Sequence, residues 1–345
     1  MTHSAHCRCI SRTRTVRAAS RGGTSVSVQA PSAVVLIRPH RFRPNPETAV
    51  DNAFQSLDPG RSDEEIALAA YDEVTAVAAA LETAGVGVHL FEDPDGSRPD
   101  SVFPNNWFST HPDGRVATYP MFTPNRRAER RWDVIEFLEH EYVVSEVVDY
   151  SRLERDGIFL EGTGAMVLDH VNRVAYVARS HRADPVAFER FCADFAYEPM
   201  LFDAVDEHGV PIYHTNVMMA VATDFALVGL DLITPAERRE EVATRLADSG
   251  REVVVLSAGQ VHEFAGNAIE LRGSRGRILA MSRRAESSFT TAQREVIERS
   301  CRILAVDVET IELAGGSVRC MIAGVHLDRR PRSLRRMDED SPRGW

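Results

Sequence analysis

The chain has 345 residues, 43% of them hydrophobic and 26% charged, which suits a globular protein large enough for one big domain or two ordinary ones. Its 51 acidic against 40 basic residues leave a net charge of -11, which disfavours nucleic acid and anionic membrane surfaces and points to a small-molecule partner. The five cysteines, at positions 7, 9, 192, 301 and 320, are too few and too scattered for a disulfide framework, and their odd number leaves a free thiol, so a reducing, cytoplasmic setting fits.

The first 30 residues are rich in Arg, Ser and Thr, and the first acidic residue is Glu47. Residues 1–31 therefore read either as a transit-peptide-like segment or as a disordered tail. Cys7 and Cys9 lack the second ligand pair that a tetrahedral zinc site requires. An apolar β-run, SAVVLIRPH, follows from 32, and a helix is expected over about 62–84, where Ser62 and Glu65 form a capping-box pattern. Four paired β-runs then follow, beginning at 102, 158, 211 and 262, each folded over a polar turn such as PDG, DHVNR or RGSRG. Helical stretches follow them at about 125–141, 184–197, 235–249 and 288–302, and each leads into a short β-run. The third of these helices shows Thr234 as a cap candidate before Pro235. Half a hairpin, VRCMIAGVHL, starts at 318, and residues 329–345 read as a polar tail. No apolar run approaches the roughly 20 residues needed to span a membrane.

These elements form a repeat of strand, strand, helix, strand. Aligning the first strands places Asn106, Glu161, His214, Asn267 and Cys320 at equivalent positions, at intervals of 55, 53, 53 and 53 residues. The expectation is an α/β fold in one catalytic domain, 32–328: a five-bladed α/β propeller of pseudo-fivefold ββαβ units, its last blade completed by the strand from 32. Such an arrangement brings the five aligned residues around one axial pocket.

A cysteine in RCMIAG is ordinarily a small buried hydrophobe. Placed in one ring with His214 and Glu161, however, Cys320 completes a set suited to covalent catalysis: a thiolate attacks, an imidazole moves the proton, and a carboxylate orients the imidazole. His140-Glu141 and His262-Glu263 have no metal-ligand spacing, so neither a metal nor a cofactor is expected. The glycine pairs in EGTG and AGGS lack the GK[ST] ending of a phosphate loop.

The segments DSVFPNNWF, NRRAER, FLEGTGAMVLD, YHTNVMMAV, EFAGNAIEL and GGSVRCMIAG, in this order over about 32–328, resemble the guanidino-modifying enzyme superfamily, and within it the citrulline utilisation hydrolase, or arginine deiminase-related, group. The resemblance implies a five-bladed propeller of pentein type. It also implies that Cys320 is the nucleophile, His214 the general acid and base, and Glu161 its partner. Asp100, Asn105 and Asn106 would line the substrate pocket, with Arg126, Arg127 and Arg182 as candidates for a substrate carboxylate. Deiminase-like members end the first of these segments in carboxylates that grip a guanidinium, whereas this chain has Asn105-Asn106, and amides can donate to a ureido oxygen. The expected activity is hydrolysis of the citrulline ureido group to ornithine, carbon dioxide and ammonia through a thiocarbamate. The alternatives are a deiminase, dihydrolase or amidinotransferase acting on a guanidino substrate, or a non-catalytic binding propeller. A small amino acid is the expected partner, and the sequence leaves a homo-oligomer open.

Overall fold

The structure, a computed structural model, describes residues 28–331; both tail segments therefore lie outside the described residues, apart from 28–31 and 329–331. The fold is α/β, built on small mixed sheets. Strand β1 (Ala33–Pro39) runs parallel to β2 (Gly87–Asp93). A second sheet joins β3 (Phe108–Thr110), β4 (Arg115–Thr118) and β5 (Glu146–Asp149). A third joins β6 (Met166–Asp169), β7 (Val174–Ala178) and β8 (Glu198–Ala204). The fourth holds β9 (Met219–Val221) and β10 (Phe225–Val228), while the two-residue β11 (Ile233–Thr234) extends the third sheet along β8 and β12 (Glu252–Val255) completes the fourth. A fifth sheet takes β13 (Ile269–Gly273), β14 (Gly276–Ser282) and β15 (Arg302–Val306). The last strand, β16 (Ala323–Gly324), returns to β1 with Val34 opposite Gly324 and Val35 opposite Ala323, so the start of the domain completes the unit that the end leaves unfinished.

In every sheet the central strand has one antiparallel and one parallel neighbour. The antiparallel neighbour comes from a hairpin in four of the sheets and from the far end of the chain in the first, and the parallel one needs a crossover, which a helix supplies in each. A central strand covered on both faces reads as an unbroken apolar run. In β1 the residues Val34, Val35, Leu36 and Ile37 are all at most 1% exposed. The helix Asp63–Thr83 lays Ile66, Ala70, Val74, Val77, Ala78 and Leu81 on this sheet, at the spacing of a single helical face. Its start is fixed by a reciprocal capping box: Glu65 N donates to Ser62 Oγ (3.3 Å) and Ser62 N donates to Glu65 Oε2 (2.8 Å). A cap of this kind is worth about 1 kcal/mol. Phe188, Phe191 and Phe195 of the helix Pro185–Phe195 fill the equivalent layer of the third unit.

Three local expectations shift. The stretch expected as one helix over 125–141 is a 3-10 turn, Pro124–Glu129, followed by the helix Trp132–Glu141, with Arg130 and Arg131 extended between them. The helix expected over about 288–302 spans only Thr291–Glu298, and Arg302 already opens β15, because the β-branched and apolar run RILAV pairs in parallel with β14. Thr234 does not cap its helix. It pairs with Asp203 at the sheet edge, and Pro235 holds the N-cap position before Ala236–Asp248.

Two buried histidines, His111 and His170, with the half-buried His326, form a second polar feature. His170 stacks on His326 at 3.9 Å between ring centroids and lies 6.2 Å from His111, and Tyr197 Oη and His170 Nδ1 are 2.9 Å apart. Burial disfavours their charged forms: it lowers His111 from its ordinary 6.5 to about 3 and His326 to about 4, and takes His170 well down. An unfolded chain takes up protons at these histidines below about pH 6.5, whereas the folded chain does not until lower pH. Stability present at neutral pH is therefore lost as the pH falls, at up to about 1.4 kcal/mol per histidine per pH unit. Thermal melting followed by circular dichroism is expected to give a clearly lower Tm at pH 5 than at pH 7; an unchanged Tm would contradict the neutral cluster.

Candidate active site

The five aligned residues converge, but not on strands. Asn106 ends the 3-10 turn Pro104–Asn106, Glu161 caps the short helix Gly162–Ala165, and His214 caps the turn Thr215–Val217. Asn267 immediately precedes the extended segment leading into β13, and Cys320 lies in the one-turn helix Val318–Met321. Each side chain is delivered by the turn just before its sheet, where the backbone changes direction and neighbouring turns can approach closely. Gly162 shows why: it has φ +45°, and a Cβ there would lie 2.4 Å from the Asn105 carbonyl oxygen.

Glu161 is fully buried. Its Oε1 accepts from Phe122 N (3.0 Å), and its Oε2 accepts from His214 Nε2 (2.8 Å) and Arg126 Nη1 (3.3 Å), with Arg182 Nη1 at 3.6 Å. Burial alone would raise this carboxyl, but Arg182, Arg126 and the hydrogen bond from His214 outweigh it and hold it well below the usual carboxylate range. Burial pushes His214 the other way, down to about 4, with Glu161 opposing and the two arginines assisting. The imidazole is thus neutral near pH 7. Because Nε2 faces a carboxylate, that nitrogen carries the proton and Nδ1 is the free base.

Cys320 is 2% exposed, and two amides address its sulfur: Asn216 Nδ2 at 3.3 Å and Asn267 Nδ2 at 3.2 Å. Asn267 also uses its Oδ1 to accept from the backbone N of Arg319 (3.0 Å) and Cys320 (3.3 Å), which fixes the turn that carries the thiol. Cys320 Sγ in turn faces Asn216 Oδ1 at 3.6 Å, an acceptor for the thiol proton. Arg319 sends its Nη1 to the Ile322 carbonyl oxygen (2.9 Å).

The remaining candidates divide. Asp100, Asn106, Arg126 and Arg182 line one cavity together with His214 and Cys320. Asp100 Oδ2 accepts from Asn45 Nδ2 (2.8 Å) and lies 3.5 Å from Arg126 Nε, whereas its buried Oδ1 has no hydrogen-bond partner among the described residues. With its amide oriented so that both ends find complementary partners, Asn106 accepts at its oxygen from Arg126 Nη1 (3.3 Å) and Nη2 (3.0 Å) and donates from its nitrogen to Asn105 Oδ1 (3.1 Å). Arg126 is clamped in turn by Glu129, Nε to Oε1 at 3.0 Å and Nη2 to Oε2 at 2.9 Å.

Asn105 and Arg127 are not brought to the cavity. Asn105 sits behind Asn106, because successive residues of a 3-10 turn point apart, and its carbonyl oxygen accepts from Thr163 Oγ1 (3.3 Å). Arg127 turns away from its neighbour Arg126 to the outer side, where Nε donates to the Met121 carbonyl oxygen (3.2 Å) and lies 3.6 Å from Glu154. Expectation based on the repeat also passed over Asn216, Asn267 and Glu129. Asn267 held the repeat position without a role, and Asn216 stands two residues after His214 in YHTN, so a signal was present for both. Nothing local to NRRAE marks Glu129 as buried.

The family profile described as eukaryotic N,N dimethylarginine dimethylhydrolase matches residues 38–327. No curated protein sequence matches the chain. Among solved structures, apo ArgZ, an arginine dihydrolase from the ornithine–ammonia cycle in cyanobacteria, superposes with a TM-score of 0.65 at 17% identity over 88% of this chain. The chain spans only 42% of that enzyme. The N-terminal domain of ArgZ, bound to product, gives a TM-score of 0.64 at 18% identity, covering 85% of this chain and 97% of that one. A dimethylarginine dimethylaminohydrolase adduct gives 0.57 at 16% identity, covering 85% and 99%. At these identities the likeness is one of fold. The profile match, spanning most of the chain, makes this protein a member of the N,N dimethylarginine dimethylhydrolase family, within the guanidino-modifying superfamily that its motifs resemble.

Proposed function

We propose that the protein is a cysteine-dependent hydrolase of the citrulline ureido group, forming ornithine, carbon dioxide and ammonia through a thiocarbamate on Cys320. The observation that carries this reading is the polarity around the thiol. Asn106 has its amide oxygen consumed by Arg126, so what it can still offer a bound molecule is an N–H. Asn216 and Asn267 likewise direct N–H groups to Cys320 Sγ. A ureido group has a carbonyl oxygen to receive such a donor; a guanidinium has only N–H groups and would meet N–H with N–H.

In the mechanism that follows, neutral His214 takes the Cys320 proton at Nδ1, and the imidazolium is stabilised by Glu161 2.8 Å away. The thiolate attacks the ureido carbon, and the oxyanion is received by the Asn106 N–H, a contribution of about 3–4 kcal/mol for a well-placed donor. The imidazolium protonates the departing amine, so ammonia leaves and the ornithine nitrogen stays on the thiocarbamate carbon. Water then gives its proton to His214, adds to that carbon and expels the thiolate. The carbamic acid loses carbon dioxide and ornithine is released. Asp100 receives a ureido N–H, Arg182 pairs with the substrate α-carboxylate, Asn105 steadies Asn106, and Arg126 positions Asn106 and Glu161. The five sheets are read as blades of an α/β propeller with these turns at its axis, working in a reducing, cytoplasmic setting with a free amino acid as partner.

One observation favours a second reading, an arginine dihydrolase. Asp100 Oδ1 is a buried acceptor without a partner among the described residues and could pair with a guanidinium, and two of the fold neighbours are arginine dihydrolase structures.

Incubation with citrulline and, separately, with arginine, with products identified by mass spectrometry, decides between them. Ornithine from citrulline is expected with the wild type and none with Cys320→Ser. Turnover of arginine without turnover of citrulline would reject the first reading, and binding retained by an inert wild type would favour a non-catalytic protein. Glu161→Gln keeps the shape but removes the charge opposite His214, and kcat is expected to fall by about 10²- to 10⁴-fold. Gly164→Ala tests the packing of the base: a Cβ there would lie 2.2 Å from the Asn106 amide and 2.8 Å from His214 Nδ1. A drop in kcat of about tenfold or more, at a stability cost of about 1–3 kcal/mol in chemical denaturation, is expected; wild-type kinetics would show that these side chains need not hold their places.

A further inference from the structure

The catalytic cavity is about 10 Å³, room for no more than a single water, so an amino-acid substrate cannot enter it as it stands. What covers it is the segment 45–56, a run of turns without a helix or strand, from which Thr48 and Asn52 face the cavity. Both ends of the strap are pinned. Asn45 donates to Asp100 Oδ2 (2.8 Å), Asn52 Nδ2 donates to the Ala314 carbonyl oxygen (3.0 Å), and Phe54 stacks on His262 at 5.3 Å. Between these anchors Asp51 reaches down to Arg182, Oδ2 accepting from Nε at 3.0 Å and Oδ1 bonding Nη2, in the bidentate geometry of a carboxylate on a guanidinium. The Asp51 side chain is 17% exposed and Arg182 only 2%. The neighbouring Val50 is 92% exposed, so solvent meets the strap at this point.

We infer that Asp51 is an internal stand-in for the substrate carboxylate, and that the site opens by exchange of one carboxylate for another on Arg182. This rests on the assignment of Arg182 to the substrate α-carboxylate made above. Apart from Asp51, the carboxylate within ion-pair distance of Arg182 among the described residues is Glu161, at 3.6 Å, which is committed to His214. A strap that lifted with nothing to replace Asp51 would leave a buried guanidinium short of an anion, a strongly unfavourable state. An incoming free carboxylate restores the balance; an amide or ester does not. The strap therefore selects free amino acids over carboxyl-blocked or peptidyl forms, and it shields the Cys320 thiol when no such ligand is bound.

Asp51→Asn tests this by two independent readouts. Alkylation of Cys320 by iodoacetamide without substrate, located by mass spectrometry, is expected to run about tenfold faster than in the wild type, and the KM for the amino-acid substrate to fall about tenfold, as expected when one charge-assisted competitor is lost. Asp51→Glu keeps a carboxylate and is expected to label close to the wild-type rate. Buried Cys192 and Cys301 serve as internal controls, since general loosening would label them too. Citrullinamide is expected to be a poor substrate. Wild-type labelling in Asp51→Asn, faster labelling of all three cysteines alike, or a raised KM would overturn the proposal. Should the wild type turn over neither citrulline nor arginine, the hydrolase reading falls, while the labelling arm still decides whether the strap guards the thiol.

Discussion

The constraint on which the site depends is the burial of one carboxylate. Glu161 has no exposed surface, and an isolated charge in that position would be strongly destabilising. It stays ionised because two guanidiniums, one imidazole and one backbone N–H converge on it from three separate stretches of chain. Removing one partner of a buried pair typically costs about 3–5 kcal/mol, so the same contacts that tune His214 also tie the turn at 161 to the segments at 122–126, 182 and 214. The ion cluster orders the centre of the fold and leaves His214 neutral with its Nδ1 unprotonated.

Delivery of these groups from turns rather than strands follows from what the backbone must do. A strand residue commits its N–H and C=O to the ladder and alternates its side chain between two faces. A residue in the turn before the strand can send both side chain and backbone groups toward a neighbouring unit. Asn267 uses this freedom fully: its oxygen caps the backbone of Arg319 and Cys320 while its nitrogen addresses the sulfur. The close approaches are made possible by missing side chains. At Gly164 a Cβ would collide with both Asn106 and His214, and at Gly315, with φ +79°, a Cβ would lie 2.5 Å from the Asn52 amide of the strap.

Much of this was legible in the sequence because the repeat imposes a register. The 53-residue interval picks out Glu161 and His214, which bond each other, and Asn267 and Cys320, which also bond each other. Hairpin turns and helix positions followed from local composition, and the Ser62 capping box from spacing alone. Legibility failed where long-range packing decides. Two adjacent arginines, Arg126 and Arg127, look equivalent as letters, yet one is 2% exposed inside the ion cluster and the other points outward. Glu129 acquires its role only through Arg126, and Asp51 only through Arg182, 131 residues away. A single strand expected to carry each site residue became a turn plus a shorter strand, since apolar flanks alone do not reveal where the ladder begins.

A repeated scaffold separates two tasks that a less regular fold must solve together. Here the sheet hydrogen bonds are made by strands outside the site turns, so the residue at the shared position is free to differ: amide at 106 and 267, carboxylate at 161, imidazole at 214, thiol at 320. The chemistry is then set by charge placement within a fixed frame. Carboxylates are retained where guanidiniums of the chain itself balance them, around Glu161 and Glu129, and amides occupy the positions in contact with the sulfur and beside Arg126. An amide in place of a carboxylate changes little in shape but reverses what the position can offer, from acceptor only to donor and acceptor. Because the Asn106 amide oxygen bonds Arg126, and Arg126 bonds Glu161, a change of charge at 106 is felt directly by the buried ion cluster.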